Sequence, residues 1–112
     1  MAVKLAIFHA AVRETIRSFP SDIRRSFGKA IWELQRGVHL GMPLAKPMPS
    51  VAAGVWELRV KDASGAYRVF YFTRSTRGIL VFHAFVKKSQ ATPLSEIKLG
   101  RRRLMEVLDE TS

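Results

Sequence analysis

Arg59, Lys61, Arg68, Lys87 and Lys88 fall within one stretch, Gly54 to Pro93, whose apolar residues alternate as those of β-strands do. Neighbouring strands lie roughly 4.8 Å apart, so cations on adjacent strands can converge on a patch about the size of a phosphodiester. Arg68 suits a phosphate in a transition state best, because a planar guanidinium grips two oxygens at once. Phe70 and Phe72 share its face, as stacking platforms sit beside cations in proteins that hold single-stranded RNA. Two residues are candidates for moving a proton there. Glu57 shares a face with Arg59, and His83 titrates, when unperturbed, at about 6.5. The bland alternative is that the cations are ordinary surface charges and the histidine a satisfied core residue. The interleaved aromatics weigh against it.

Three consecutive antiparallel strands would position these side chains. Val55 to Lys61 sets Trp56, Leu58 and Val60 against Glu57, Arg59 and Lys61. Asp62 to Gly65 is a hairpin turn, and Ala66 to Thr73 puts Tyr67, Val69 and Tyr71 opposite Arg68, Phe70 and Phe72. After a turn at Arg74 to Gly78, Ile79 to Lys88 is apolar on both faces and is the expected central, doubly covered strand. Parity places His83 with Phe85 and Lys87, and Lys88 with Phe82 and Val86.

Upstream, Lys4 to Phe8 is apolar enough for a fourth strand. Val12, Ile16 and Phe19 recur at helical spacing until Pro20 interrupts. Ser21 and Asp22 open a second helix, with Ile23, Phe27, Ile31 and Leu34 as its stripe, and Gly37 ends it. This helical hairpin should lie on one face of the sheet. Val38 to Ala53, with Pro43, Pro47 and Pro49, reads as a loop, in which Lys46 is the binding candidate nearest the strand of Arg59. Thr92-Pro93 caps a last helix with Leu94, Ile97, Leu104 and Leu108 as its apolar side. Its Arg101, Arg102 and Arg103 make either a grip on RNA backbone or a solvated face. The class is α+β: a small, antiparallel-dominated sheet of about four strands, the helical hairpin on one face and the C-terminal helix alongside. Trp56, Leu58, Tyr71, Phe82, Phe27, Ile31 and Leu34 should be buried, and Arg68 should stand on an open face.

Residues 1–112 suit a single domain. Nineteen Lys and Arg against nine Asp and Glu leave a net charge of +10, which points to a polyanionic partner such as nucleic acid. No apolar run approaches the roughly 20 residues of a membrane span, and the N-terminal run is broken by His9 and Arg13, so neither membrane nor signal peptide is expected. The absence of cysteine excludes disulfides and thiolate chemistry and is compatible with a reducing cytoplasm. His9, His39 and His83 are too scattered for a metal cluster, and no metal or cofactor is expected.

GVWELRV, YRVFYF and FHAFVKKSQATP, followed by a helix bearing RRR, resemble the phage-derived HigB branch of the RelE/ParE superfamily, the toxins of type II toxin–antitoxin pairs. Phe19-Pro20 and the helix end Leu34-Gln35-Arg36-Gly37 extend the likeness. The resemblance implies a RelE-like fold and a ribosome-dependent, metal-independent mRNA endonuclease, inhibited by an antitoxin encoded beside it, expected to be a helix-turn-helix protein. Such chemistry lets the RNA's own 2′-hydroxyl attack phosphorus, and needs a base, cations for the phosphoryl oxygens and an acid for the leaving oxygen. Arg59, Arg68 and Lys87 or Lys88 fall where RelE-type toxins place phosphate-binding Lys and Arg. The chain departs from RelE at Glu57, where a Lys is expected, and in having no Tyr after Lys88. ParE-like relatives inhibit DNA gyrase without cutting RNA, which is the alternative function, and a basic RNA-binding module is a third.

Overall fold

In the computed structural model, which describes residues 3–88 and 91–111, the chain runs β1 (Ala6–Phe8), α1 (Ala10–Arg17), α2 (Ser21–Gln35), β2 (Ala45–Pro47), β3 (Val55–Asp62), β4 (Gly65–Ser75), β5 (Gly78–Lys87) and α3 (Leu94–Thr111). Ser89 and Gln90 of the FHAFVKKSQATP motif lie outside the described residues. The sheet order is β1-β5-β4-β3-β2. β1 runs parallel to β5 and the other pairs are antiparallel, so the sheet is mixed.

The described sheet has five strands, not about four. The additional one, β2, comes from the proline-rich segment read as a loop. A three-residue strand at the sheet edge tolerates Pro47, because the ladder is continued by the amide of Met48, which donates to the Val55 carbonyl at 2.8 Å.

The helices cover both faces. On one, Phe19, Ile23, Phe27, Ile31 and Leu34 of the α1–α2 hairpin region bury against Leu58, Tyr67, Val69 and Tyr71. On the other, Leu104 and Val107 of α3 pack over Phe70, Leu80, Phe82 and Phe85. The C-terminal helix thus lies across the second face rather than alongside the sheet. Its buried stripe is carried by Val107 where Leu94 was expected, and Leu94 is exposed. Of the expected core residues, Trp56 is only partly buried and the other six are buried. Gly100 allows α3 to approach the sheet: a Cβ there would stand 2.8 Å from Cδ2 of Phe70.

A β-bulge alters the parity of β5. Phe70 pairs with His83 but Tyr71 with Val81, so Phe82 has no opposite number. Phe82 therefore turns to the α3 face along with His83 and Phe85, not to the side of Lys88 and Val86.

Candidate nucleic-acid interface

Register brings the charged residues of β2, β3, β4 and β5 together. Arg59 is directly opposite Arg68, Ala66 separates Lys61 from Lys87, and Lys46 is opposite Glu57. Cross-strand partners share a face, so five cations and one carboxylate occupy one end of the face that α3 covers. Two arginines placed directly opposite repel each other unless an anion lies between them. Glu57 supplies it. Its Oε1 is 3.5 Å from Arg68 Nε and 3.7 Å from Arg59 Nε, and its Oε2 accepts a hydrogen bond of 3.2 Å from the Thr92 hydroxyl.

The cluster is unevenly satisfied. Arg68 is only 6% exposed and Glu57 2%, whereas the Arg59 side chain is 29% exposed. Arg68 Nη1 donates to the Tyr67 carbonyl at 3.1 Å, but the Nε groups of both arginines are buried without a hydrogen-bond acceptor. Burial pushes the Arg68 pKa down, Glu57 pulls it up and Arg59 lowers it again. Burial also lowers the Lys87 ammonium; Arg68 adds to that fall, Glu57 opposes it, and Arg59 and Lys46 reinforce it. Two clefts open beside the cluster. One of about 480 Å³ is lined by Leu44, Arg59, Lys61 and Arg68; the other, of about 410 Å³, by Lys46, Ser50, Glu57, Arg59, Lys87 and Thr92. Arg59 faces both, so a chain of successive phosphates could cross from one to the other over its guanidinium.

Lys46, Glu57, Arg59, Lys61, Arg68 and Lys87 are thus gathered as the sequence suggested, and the remaining candidates are not. Arg68 does not stand on an open face: it is buried, its guanidinium set between Glu57 and the Tyr67 carbonyl. Phe70 is fully buried beneath α3 and Phe72 packs against the same apolar cluster, so neither is a free stacking platform. Lys88 lies past the end of β5 and lines neither cleft.

His83 is closed off as a proton carrier. Its Nδ1 is 2.9 Å from Arg103 Nη1 and its Nε2 is 2.7 Å from Glu96 Oε1. A guanidinium can only donate, so Nδ1 accepts and Nε2–H donates to Glu96. The imidazole is then neutral, in keeping with a pKa that burial pushes down. Arg103 is therefore engaged by the fold. Arg101 is too, donating to the carbonyls of Ser50 at 2.6 Å and Val51 at 3.1 Å although much of the residue is exposed, and Arg102 is turned to solvent.

Two residues escaped the sequence reading: Thr92, taken only as a helix cap, and Glu96, the partner of His83. Glu96 left one trace, as the acid in the first turn of the helix. Among the described residues no group of three or more His, Cys, Asp and Glu is placed to hold a metal ion, and no helix is long and apolar enough to cross a membrane. A family model described as phage-derived protein Gp49-like (DUF891) matches residues 14–105, a span that contains every residue of the cluster. No curated protein matches the chain.

Proposed function

Because the chain belongs to the phage-derived Gp49-like family, which is associated with RelE-like toxins of toxin–antitoxin pairs, we propose that it is the toxin of such a pair, of the HigB-like kind. In this reading it acts in the cytoplasm as a metal-independent mRNA endonuclease at the ribosome, held inactive by a cognate antitoxin. The observation that carries the proposal is the Arg59–Glu57–Arg68 cluster: two guanidiniums with unmet Nε–H donors, one carboxylate between them, and two basic clefts that meet at Arg59.

Donors fixed in a water-poor site stabilise developing phosphoryl charge far better than solvated ones. Arg59 and Arg68 supply them. The RNA's 2′-hydroxyl gives its proton to solvent water as it attacks the adjacent phosphorus, the bond to the 5′-oxygen breaks to leave a 2′,3′-cyclic phosphate, and the 5′-oxygen takes up a proton. Lys87 is suited to give it, since burial and the arginines beside it weaken its hold on the proton. Glu57, already engaged by two arginines and Thr92, serves as their counter-ion rather than as the base. A site without a dedicated base depends on precise placement of its substrate, which is what a ribosome holding the mRNA would provide.

The test is induced expression with and without the neighbouring gene, followed by primer extension on translated mRNA. Arg59 is the residue to vary, because it is the more exposed of the pair and its loss leaves the Arg68–Glu57 contact in place. Arg59→Ala should lower cleavage by roughly 10²-fold, as loss of one preorganised donor typically does. Arg59→Lys should recover part of it, because a point charge cannot hold two oxygens. Growth arrest with intact mRNA would overturn the nuclease reading and bring gyrase inhibition to the front.

A further inference from the structure

We propose that the Glu57 carboxylate occupies the seat of a substrate phosphate in the free protein, as a built-in competitor that the incoming anion must displace. The proposal deepens the reading above and rests on it for the identity of the substrate. Its own basis is geometric.

Carboxylates and phosphodiesters both present two charged oxygens to a guanidinium fork, so one seat can take either. Charge-assisted N–H···O contacts settle at about 2.7–2.9 Å. Glu57 Oε1 stands instead at 3.5 Å from Arg68 Nε and 3.7 Å from Arg59 Nε, within reach of both and bonded to neither. One carboxylate thus faces two arginines, leaving one positive charge unbalanced and neither Nε satisfied, while the Thr92 hydroxyl holds its second oxygen at 3.2 Å. A buried N–H left without an acceptor is costly, and an anion that brings an oxygen to each Nε removes that cost.

Glu57 is also the one carboxylate among the described residues lining the 410 Å³ cleft, and Lys46, Arg59 and Lys87 line it too. A phosphate entering there meets three cations and a single repelling group. The carboxylate therefore offsets the repulsion between the arginines and keeps them pre-aligned when the cleft is empty, and lowers affinity for any anion that arrives. It is a positioning residue with an inhibitory sign, not a proton acceptor.

The experiment measures binding without cleavage, using inorganic pyrophosphate and a short 2′-deoxy oligonucleotide, which lacks the attacking hydroxyl. Glu57→Gln keeps the shape and removes the charge, and like-charge contacts at an interface are expensive enough that affinity for both probes should rise roughly tenfold or more. Thr92→Ala, which frees the second oxygen, should give a smaller rise in the same direction. A folded Glu57→Gln protein that binds both probes no better than the parent overturns the proposal. Should that variant not fold, an unchanged or weaker affinity in Thr92→Ala overturns it alone. The outcome is separate from the nuclease test: tighter binding in a protein that cuts no mRNA supports the competitor and sinks only the nuclease, and cleavage by the parent with no gain in Glu57→Gln does the reverse.

Discussion

On one face of the sheet, with Phe70 between them, lie two clusters of buried charged and titratable side chains. At one, His83 is 1% exposed, flanked by the rings of Phe70 at 5.5 Å and Phe85 at 5.4 Å, and both of its nitrogens have partners. At the other, Arg68 is nearly as buried, yet two guanidinium Nε groups lack acceptors and clefts open beside them. Burial and a shifted pKa are common to both clusters, so neither marks a functional site by itself. Unmet donors next to room for a ligand are what distinguish the second cluster and what the proposed function rests on, because a fold that only needed stability gains by satisfying or removing them.

The contrast breaks most severely at Arg68. Arg68→Ala leaves the 2%-exposed Glu57 with Arg59 as its one ion-pair partner within 4 Å among the described residues. Stability should fall by about 3–5 kcal/mol, the usual result of removing one member of a buried ion pair. Cleavage per folded molecule should fall by at least about 100-fold. Denaturant titration separates the two effects. An unchanged midpoint would mean that Arg68 is solvated in solution, and the open cluster would then be an ordinary charged surface.

Much of this arrangement could be read from the chain. Period-two alternation from Val55 to Thr73 marks β3 and β4, parity puts Glu57, Arg59 and Lys61 on one side, and the register of the Asp62–Gly65 hairpin adds Arg68 to it. What parity cannot tell is what covers that side. A helix's apolar stripe says that it packs, not against which face, so Phe70 looked open until α3 was seen on it. The bulge at Phe82 was hidden for a similar reason, since one extra residue in a strand that is apolar on both faces leaves no break in the pattern. Prolines concealed β2, because they signal the absence of a ladder except at an edge. Thr92 and Glu96 act over distances of 35 and 13 residues, which no local pattern encodes.

A smaller and more selective effect is expected at the closed cluster. His83 has a folded-state pKa pushed below its ordinary value, chiefly by burial. The unfolded chain therefore takes up a proton at about pH 6.5 that the folded chain refuses until lower pH. Stability should be level above that value and decline as pH falls from about 6.5 towards the folded-state pKa. His83→Leu should remove this step and lower stability by about 1–3 kcal/mol at neutral pH, since a hydrocarbon can neither accept from Arg103 nor donate to Glu96. Denaturation at pH 5 and pH 8 checks both effects. Cleavage per folded molecule should hold, and a loss comparable to that of Arg59→Ala would return His83 to the catalytic candidates.

The smallest effect sharpens the comparison on α3 itself, where three consecutive arginines have three different duties. Arg101 ties the helix to the Ser50–Val51 backbone, Arg103 serves the closed cluster, and Arg102 is exposed. A long cation in solvent contributes little to folding, so Arg102→Ala should change stability by no more than about 0.5 kcal/mol. If α3 touches RNA backbone, that variant should weaken binding uniformly across sequences and reduce the salt slope by about 0.7, the value of one single-stranded phosphate contact. Arg101→Ala should do the opposite, costing stability through two lost hydrogen bonds while leaving the salt slope of the folded protein nearly unchanged. Ribosome or RNA binding measured at several salt concentrations, beside denaturation curves, distinguishes the two. Equal losses of affinity from Arg101, Arg102 and Arg103 at unchanged stability would show that the run acts as one phosphate grip, and that the contacts of Arg101 and Arg103 with the fold give way when RNA is bound.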